Sequence, residues 1–490
     1  MTQFVIHVLL RIAVLTGLLF RLTTLSVAGD NKVLGLAEGV VYPLKASANK
    51  RYLVDQNNRP FLMVGDSPQQ LIANLSLKDA AAYMANRQTY GINTLWINLL
   101  CISTEASCNI DAKTVDAIPP FFASGDLATP NSDYFQRVDD ILALAAQHGM
   151  VVLLNPAETI SWLDVLKKNG VSKAFAYGQY LGYRYKDVPN IIWMHGNDFQ
   201  SWRDERSRAP VQAVANGIRS IDKNHMHTVE LDYMTSGSLD DPSWAPLIEL
   251  NAAYTYYPTY AQVRTEYNRP VFKPVFMVEA NYEFEQNFSL RGGSANNLRR
   301  QEYWTMLSGA TGQLYASLHT WQLINGWQSK LDTSGVIQLK YMKDLFASRI
   351  WYDLIPDQAH EVVTAGYDAF SCFAGSAATG IGRGQGYLAR AITGLRNLSV
   401  IASNKCATTA RTPDGTLVIA FLPTLRTITV EMSKLAKTTT ARWYDPTSGE
   451  YLEVKGSPFI NKGIREFRPP GTNSIGDGDW VLVLEAPTGR

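Results

Sequence analysis

The chain has 490 residues, 46% of them hydrophobic and 11% aromatic, enough for a substantial core and more than one ordinary domain. Its formal net charge is +1, from 45 basic and 44 acidic residues with no long charge run. That balance excludes the electrostatic footprint of a nucleic-acid or anionic-membrane partner and suits a neutral substrate.

Residues 1–28 read as a cleavable secretory signal: Met1 to Arg11, an apolar run from Ile12 to Phe20, then Ser26-Val27-Ala28 ahead of Gly29. An uncleaved anchor is the competing reading, but Arg21 interrupts a run already short for spanning. The body is therefore expected outside the cytosol, secreted or periplasmic, with no membrane contact after signal removal. Arg51 to Val54 and Pro60 to Val64 flank the turn-rich Asp55-Gln56-Asn57-Asn58, the pattern of a β-hairpin feeding a buried strand that ends at Gly65-Asp66.

From there the chain becomes rhythmic. Ser76 caps a helix with Asp79 three residues on, Ala80 to Tyr90 propagates it, Gly91 stops it, and Ile92 to Ile97 follows as a strand. A helix from Asp133 to His148 precedes a strand at Met150 to Leu154, and Ser172 to Tyr185 precedes one at Asn190 to His195. Further strands are expected at Met226 to Leu231, Ile248 to Tyr254, Pro274 to Val278 and Gln313 to Ser317, each with an intervening helical segment. Eight strands alternating with helices over residues 29–354 predict a (β/α)8 barrel, with a doubly wound open sheet as the alternative. From Ile355 to the end, short β-type runs such as Leu417 to Leu422, Thr427 to Met432 and Ala441 to Tyr444 predict an all-β sandwich domain, residues 355–490.

The four cysteines fall as two local sets, compatible with disulfides Cys101–Cys108 and Cys372–Cys406 in an exported chain. Zinc is the competing reading, but there is no Cys-x-x-Cys pair and no histidine close in sequence to either set.

A barrel builds its active site at the C-terminal ends of its strands, where ligand-binding side chains emerge from the loops. Acidic residues stand there after strand one (Asp66), strand four (Asp198) and strand seven (Glu279). Hydrolysis of a glycosidic bond needs a protonated carboxyl at the leaving oxygen and a second carboxylate opposite, which Asp198 and Glu279 could supply. Singly, a strand-end acid is as readily a helix cap or an arginine partner. As a pair, beside Trp193, Tyr254, Tyr256, Tyr257, Tyr282, Trp321 and Trp327, they lie among aromatic faces of the kind sugar rings stack on, although any one of those rings alone is more often core.

The sequence also resembles the apiosidase-like glycoside hydrolases, in which a catalytic (β/α)8 barrel precedes a β-domain of the collagen-binding type. The likeness is carried by Pro43-Leu44-Lys45, Arg51 to Asp55, Gly65-Asp66-Ser67, Gly91-Ile92-Asn93, Ile191-Ile192-Trp193 with Gly196-Asn197-Asp198, and Glu279 with Tyr282-Glu283. Arg299 to Trp304, Gly309, Gly312, Trp321 and Arg442 to Pro446 add to it. The resemblance implies Asp198 as acid/base and Glu279 as nucleophile, with Asp66 and Glu283 lining the pocket and a polysaccharide side chain, pectin-type, as substrate. Asn197 departs from the glycine expected in most relatives. An amide before the acid is similar to the Asn-Glu ending of strand four in clan A glycosidases, which implies a contact from Asn197 to the sugar's 2-hydroxyl. The match is weakest from His225 to Trp244.

Competing chemistries fare less well. His225 and His227 would share one strand face but open strand five, away from the catalytic end, so a metal centre is not expected there. His195 and His319 are placed nearer the mouth, His195 as a substrate contact or a satisfied core histidine. Gly380 to Gly386 lacks the dinucleotide spacing and reads as a flexible turn, and no Gly-x-Ser-x-Gly elbow occurs. No metal or organic cofactor is implied. The rival from another class is a non-catalytic carbohydrate-binding barrel whose carboxylates only hydrogen-bond sugar hydroxyls.

Overall fold

A computed structural model describes residues 39–102, 112–232, 235–286, 292–382 and 400–486. The expected signal segment and the Cys101–Cys108 pairing lie outside the described residues. Among the described residues no helix is long and apolar enough to cross a membrane.

Eight strands form one parallel sheet: β1 (Met63–Asp66), β2 (Thr94–Asn98), β3 (Val151–Asn155), β4 (Ile191–Phe199), β5 (His227–Leu231), β6 (Asn251–Thr255), β7 (Val275–Glu279) and β8 (Gly312–Tyr315). The order β5-β4-β3-β2-β1-β8-β7-β6 brings the two edges round to meet. Glu249 and Leu250 amides donate to the His227 carbonyl at 2.9 and 3.2 Å, and the Ser238 hydroxyl completes the seam. It donates to the Val229 carbonyl of β5 at 2.6 Å and accepts from the Ala252 amide of β6 at 2.8 Å. One serine side chain thus stands in for the missing ladder bond, and the barrel is closed rather than an open sheet. The predicted hairpin is present, Leu53–Val54 pairing antiparallel with Pro60–Phe61.

Helices cover the outside: α1 (Leu77–Thr89), α2 (Ser132–Gln147), α3 (Leu163–Tyr185), α4 (Glu205–Ile221), α5 (Thr259–Tyr267), α6 (Ala295–Met306) and α7 (Ser334–Ala347). Ser76 caps α1 by accepting from the Asp79 amide, as expected. The helix predicted from Ser172 begins nine residues earlier, with a break at Gly170, whose φ is 74°. Among its described residues the connection from β5 to β6 holds no α-helix, contrary to expectation. Gly237, Pro242 and Pro246 interrupt it, and a short antiparallel strand, Thr235–Gly237, pairs with β6 instead.

Beyond Ile355 two antiparallel sheets face each other. The larger runs β9 (Ile355–Pro356), β11 (Thr408–Arg411), β12 (Leu417–Leu422), β17 (Trp480–Glu485), β14 (Thr440–Tyr444) and β15 (Tyr451–Glu453); the smaller runs β10 (Val363–Ala365), β13 (Ile428–Glu431) and β16 (Ile464–Phe467). Val418, Ala420 and Leu422 share the inter-sheet core with Val430 and Phe467, whereas Leu417, Ile419 and Phe421 belong to the core of the barrel's helices. Strand β12 is therefore buried on both faces, the physical reason it reads as an unbroken apolar run. One element departs from the all-β expectation: helix α8 (Ala369–Gly382), tied to the sheet by the Cys372–Cys406 disulfide. Gly380 to Gly382 belong to that helix rather than to a turn, and Arg383 to Gly386 lie outside the described residues.

The docking of sandwich on barrel runs through α6, whose residues from Asn297 to Met306 are all buried. Arg299 pairs with Asp479 and Asp477, Arg300 donates to the carbonyls of Ile401, Ala402, Asn404 and Pro423, and Trp304 donates to the Cys406 carbonyl. The Tyr303 ring stacks on Phe421 at 5.0 Å.

Candidate active site

Strand alternation separates lumen from helix layer. On β4 and β5, Trp193, Val229 and Leu231 pack with the helices, so Met194, Gly196, Thr228 and Glu230 face the lumen. Two bulges then re-aim the acids. On β4, Gly196 pairs with Glu230 and Phe199 with Leu231, leaving Asn197 and Asp198 as extra residues. Their φ values are positive, 88° at Gly196, 114° at Asn197 and 51° at Asp198, a run that non-glycine residues rarely adopt. A Cβ at Gly196 would lie 2.1 Å from the Glu230 carbonyl oxygen, so glycine is required for the bulge to close on β5. Polar side chains hold it from below: Asn155 donates to the Gly196 carbonyl at 2.9 Å and Thr159 to the Asn197 carbonyl at 2.6 Å. On β7, Met277 faces Ala253 and Glu279 faces Tyr254, with Val278 extra, so Glu279 joins Tyr254 on the lumen side instead of following Met277 outward.

The two acids meet there in unlike surroundings. Glu279 accepts three phenols: Tyr254 at 2.8 Å and Tyr256 at 2.6 Å on Oε1, and Tyr282 at 2.6 Å on Oε2. Its pKa is raised to about 7 by burial, against the lowering by those hydroxyls. Asp198 is likewise raised to about 7, by burial and then by the Glu279 charge, with Tyr254 lowering it. Asp198 Oδ1 is buried with no partner among the described residues. The two charges interact, and with Tyr256 and Tyr282 donating to Glu279 and the single Tyr254 proton 2.8 Å from it, the phenols favour the negative charge on Glu279 and the proton on Asp198.

A third carboxyl lies beside them. Glu230 is completely buried, and both its oxygens lack a hydrogen-bond partner among the described residues; the Asp198 amide approaches without completing a bond. Burial, then the Glu279 and Asp198 charges, push its pKa well up, which favours the protonated form. Sequence reasoning passed over it, although an acid inside His227-Thr228-Val229-Glu230-Leu231 is a signal, since an acid on a buried barrel strand has to be answered by its neighbours. Gln69 was also missed; its amide donates to the Tyr282 hydroxyl at 3.1 Å.

The other expected contacts divide. Tyr254, Tyr256 and Tyr282 gather on Glu279. Asn197 adjoins Asp198 with a buried side-chain oxygen lacking a partner among the described residues, and Trp321, after β8, is half-buried with its indole nitrogen likewise unpartnered. Four expected pocket residues are not in the pocket. Trp193 points into the helix layer, against Tyr185, and donates to Asp222 at 2.9 Å. His195 stacks on Trp244 behind the strand and shares a 2.9 Å hydrogen bond with His227, burial lowering its pKa to about 3. Asp66 turns outward to a fully buried ion pair with Arg87 and a bond from Tyr83. Glu283 accepts from Tyr315, Thr333 and the Gly335 amide, fastening the start of α7. Alternation turns Trp193, His195 and Asp66 outward to the helices, whereas Glu283, in the loop after β7, is held by the start of α7. Trp327 packs edge-on against Tyr83 in the core, and His225 pairs with Asp222.

The family described as "Apiosidase-like, catalytic domain" matches residues 47–353, and "Putative collagen-binding domain of a collagenase" matches residues 397–485. Among solved structures, one described as a glycoside hydrolase is 21% identical, with TM-score 0.74, covering 92% of this chain and 100% of its own. A glycoside hydrolase family 5 protein from Bacteroides vulgatus ATCC 8482 is 20% identical, with TM-score 0.72, covering 90% of this chain and 93% of its own. At such identities the likeness is one of fold. No curated protein matches the chain.

Proposed function

The chain is a glycoside hydrolase of the apiosidase-like family, and we propose that it cleaves a polysaccharide side chain of the pectic type by the retaining route, Glu279 attacking and Asp198 serving as acid, then base. The observation that carries this is the unequal solvation of the two acids. Three phenols stabilise a charged Glu279, while Asp198 has an oxygen without a donor and keeps the proton. In the first step a Glu279 carboxylate oxygen bonds the anomeric carbon as the glycosidic bond breaks, and the Asp198 proton passes to the leaving oxygen. In the second, Asp198 takes a proton from water, whose oxygen displaces Glu279 and frees the sugar.

Tyr254, which donates to Glu279 at 2.8 Å, also lowers the Asp198 pKa, and this shared neighbour supports the close spacing of a retaining enzyme, about 5 Å, over the wider gap that admits a water. Export, by the leader at residues 1–28, would place the enzyme with its polymer. Reducing-sugar release from pectic, hemicellulosic and arabinan-type glycans, with Glu279→Gln as control, tests the reading. Release abolished in the variant, with the first-formed anomer of retained configuration by NMR, is the expected result. Binding without release on a panel including branched pectin would favour a non-catalytic barrel, and an inverted first product would end the retaining route.

A further inference from the structure

The lumen contains a hydrogen-bond chain whose direction is set at its far end. The Trp96 indole, a donor with no acceptor capacity, donates to Asn98 Oδ1 at 3.0 Å. Asn98 must then present Nδ2 to Gln69, whose Oε1 accepts at a long 3.4 Å, and the Asn98 amide donates to the Gln69 carbonyl at 2.9 Å, holding the two residues together. Gln69 is left with Nε2 facing the Tyr282 oxygen at 3.1 Å, and Tyr282 donates to Glu279 Oε2 at 2.6 Å. Trp96, Asn98, Gln69 and Tyr282 are all buried, so water offers no alternative partners.

We propose that Gln69 is a positioning residue of the hydrolytic site: by donating to the Tyr282 oxygen it commits that hydroxyl's single proton to Glu279, and Trp96 and Asn98 hold Gln69 in the orientation that does so. The inference rests on the reading of Glu279 as nucleophile and deepens it. A tyrosine hydroxyl has one proton and two possible directions. With an N–H donor on its oxygen, only the direction toward Glu279 satisfies both bonds. With an acceptor in place of that donor, the same proton is contested and Glu279 loses one of its three phenols.

Two near-isosteric changes invert the chain at different points. Gln69→Glu puts an acceptor against Tyr282 directly. Asn98→Asp removes the Nδ2 donor, so that Gln69 gains by turning its own Nε2 toward residue 98 and its Oε1 toward Tyr282. Each also adds an acid to the lumen, and Tyr282→Phe separates the two effects, because the added charge acts in either background while inversion needs the hydroxyl.

The measurement is a pH titration of the Glu279 carboxyl stretch by infrared difference spectroscopy, the band being identified by its absence in Glu279→Gln. It uses the full chain without substrate. Loss of one phenol from a buried carboxylate should raise its pKa by about one unit, a tenfold change in proton affinity. Each of Q69E and N98D is expected to raise the Glu279 pKa by about that much more in the wild-type background than in the Y282F background. Equal shifts in both backgrounds would overturn the proposal, since charge alone would then explain them. Should Q69E fail to fold, N98D carries the same comparison. Turnover by Glu279→Gln would sink the nucleophile reading instead, whatever the titrations give.

Discussion

Arg299→Met tests what fastens the sandwich to the barrel. Arg299 is completely buried on α6, its Nε and Nη2 bidentate to Asp479 at 2.8 and 2.9 Å, with further bonds from Nη2 to Asp477 at 2.6 Å and Nη1 to Gln338 at 2.7 Å. Methionine fills much of the volume and removes the cation. Among the described residues the fully buried Asp479 carboxylate then keeps only Asn473 and a distant Asn296 as side-chain donors. Breaking a buried pair from one side costs about 3–5 kcal/mol, because the remaining charge is desolvated and unanswered. With an unfolding entropy of about 2.1 cal/mol/K per residue, that lowers Tm by about 4 °C if residues 41–490 unfold together, and by about 15 °C if the sandwich, roughly 130 residues, unfolds alone. Scanning calorimetry separates these, and the number of transitions says which unit is cooperative. Arg299→Met with Asp479→Leu should recover part of the loss, since an apolar pair leaves no orphaned charge. A single variant melting within a degree of wild type would refute the account, and the docking would then have to reside in the apolar contact of Tyr303 with Phe421.

Two further outcomes follow from the acids. Tyr256→Phe removes one of the three donors on Glu279 and should move the acidic limb of kcat/KM upward by about one pH unit; an unmoved limb would remove the phenols from the charge assignment. Glu230 has a folded-state pKa raised above its unfolded value, so the folded state holds a proton that the unfolded state releases above about pH 4. Stability is therefore lost as pH rises from there toward the folded pKa, by up to about 1.4 kcal/mol per pH unit for this group, and Glu230→Gln removes that slope. Thermal melts from pH 5 to 7.5 should fall less steeply for the variant than for wild type; parallel curves would mean Glu230 ionises freely.

The eight strands were legible because a parallel strand covered on both faces is apolar throughout, and runs such as Val151 to Leu154 and Val275 to Val278 have little else to be. The same property hid the site. Where both faces are buried, hydrophobicity does not say which face is lumen, so Trp193 and His195 look as well placed as Asn197 although alternation turns them outward. Nor does it show a bulge. Asp198 and Glu279 could be found as strand-end acids, but that both enter the lumen depends on extra residues in β4 and β7 that exist only against their neighbours. Motifs that carry a resemblance need not touch substrate, either. Arg299 to Trp304 is a docking helix whose partners lie as many as 180 residues away, and Asp66 and Glu283 hold helices. What separates them from Asp198 and Glu279 is how their oxygens are answered. Asp66 and Glu283 meet donors fixed by packed helices and need nothing from outside. Glu279 is answered by phenols that stabilise its charge, Asp198 is answered only in part, and an unequal pair of this kind can release and recover a proton without disturbing the fold.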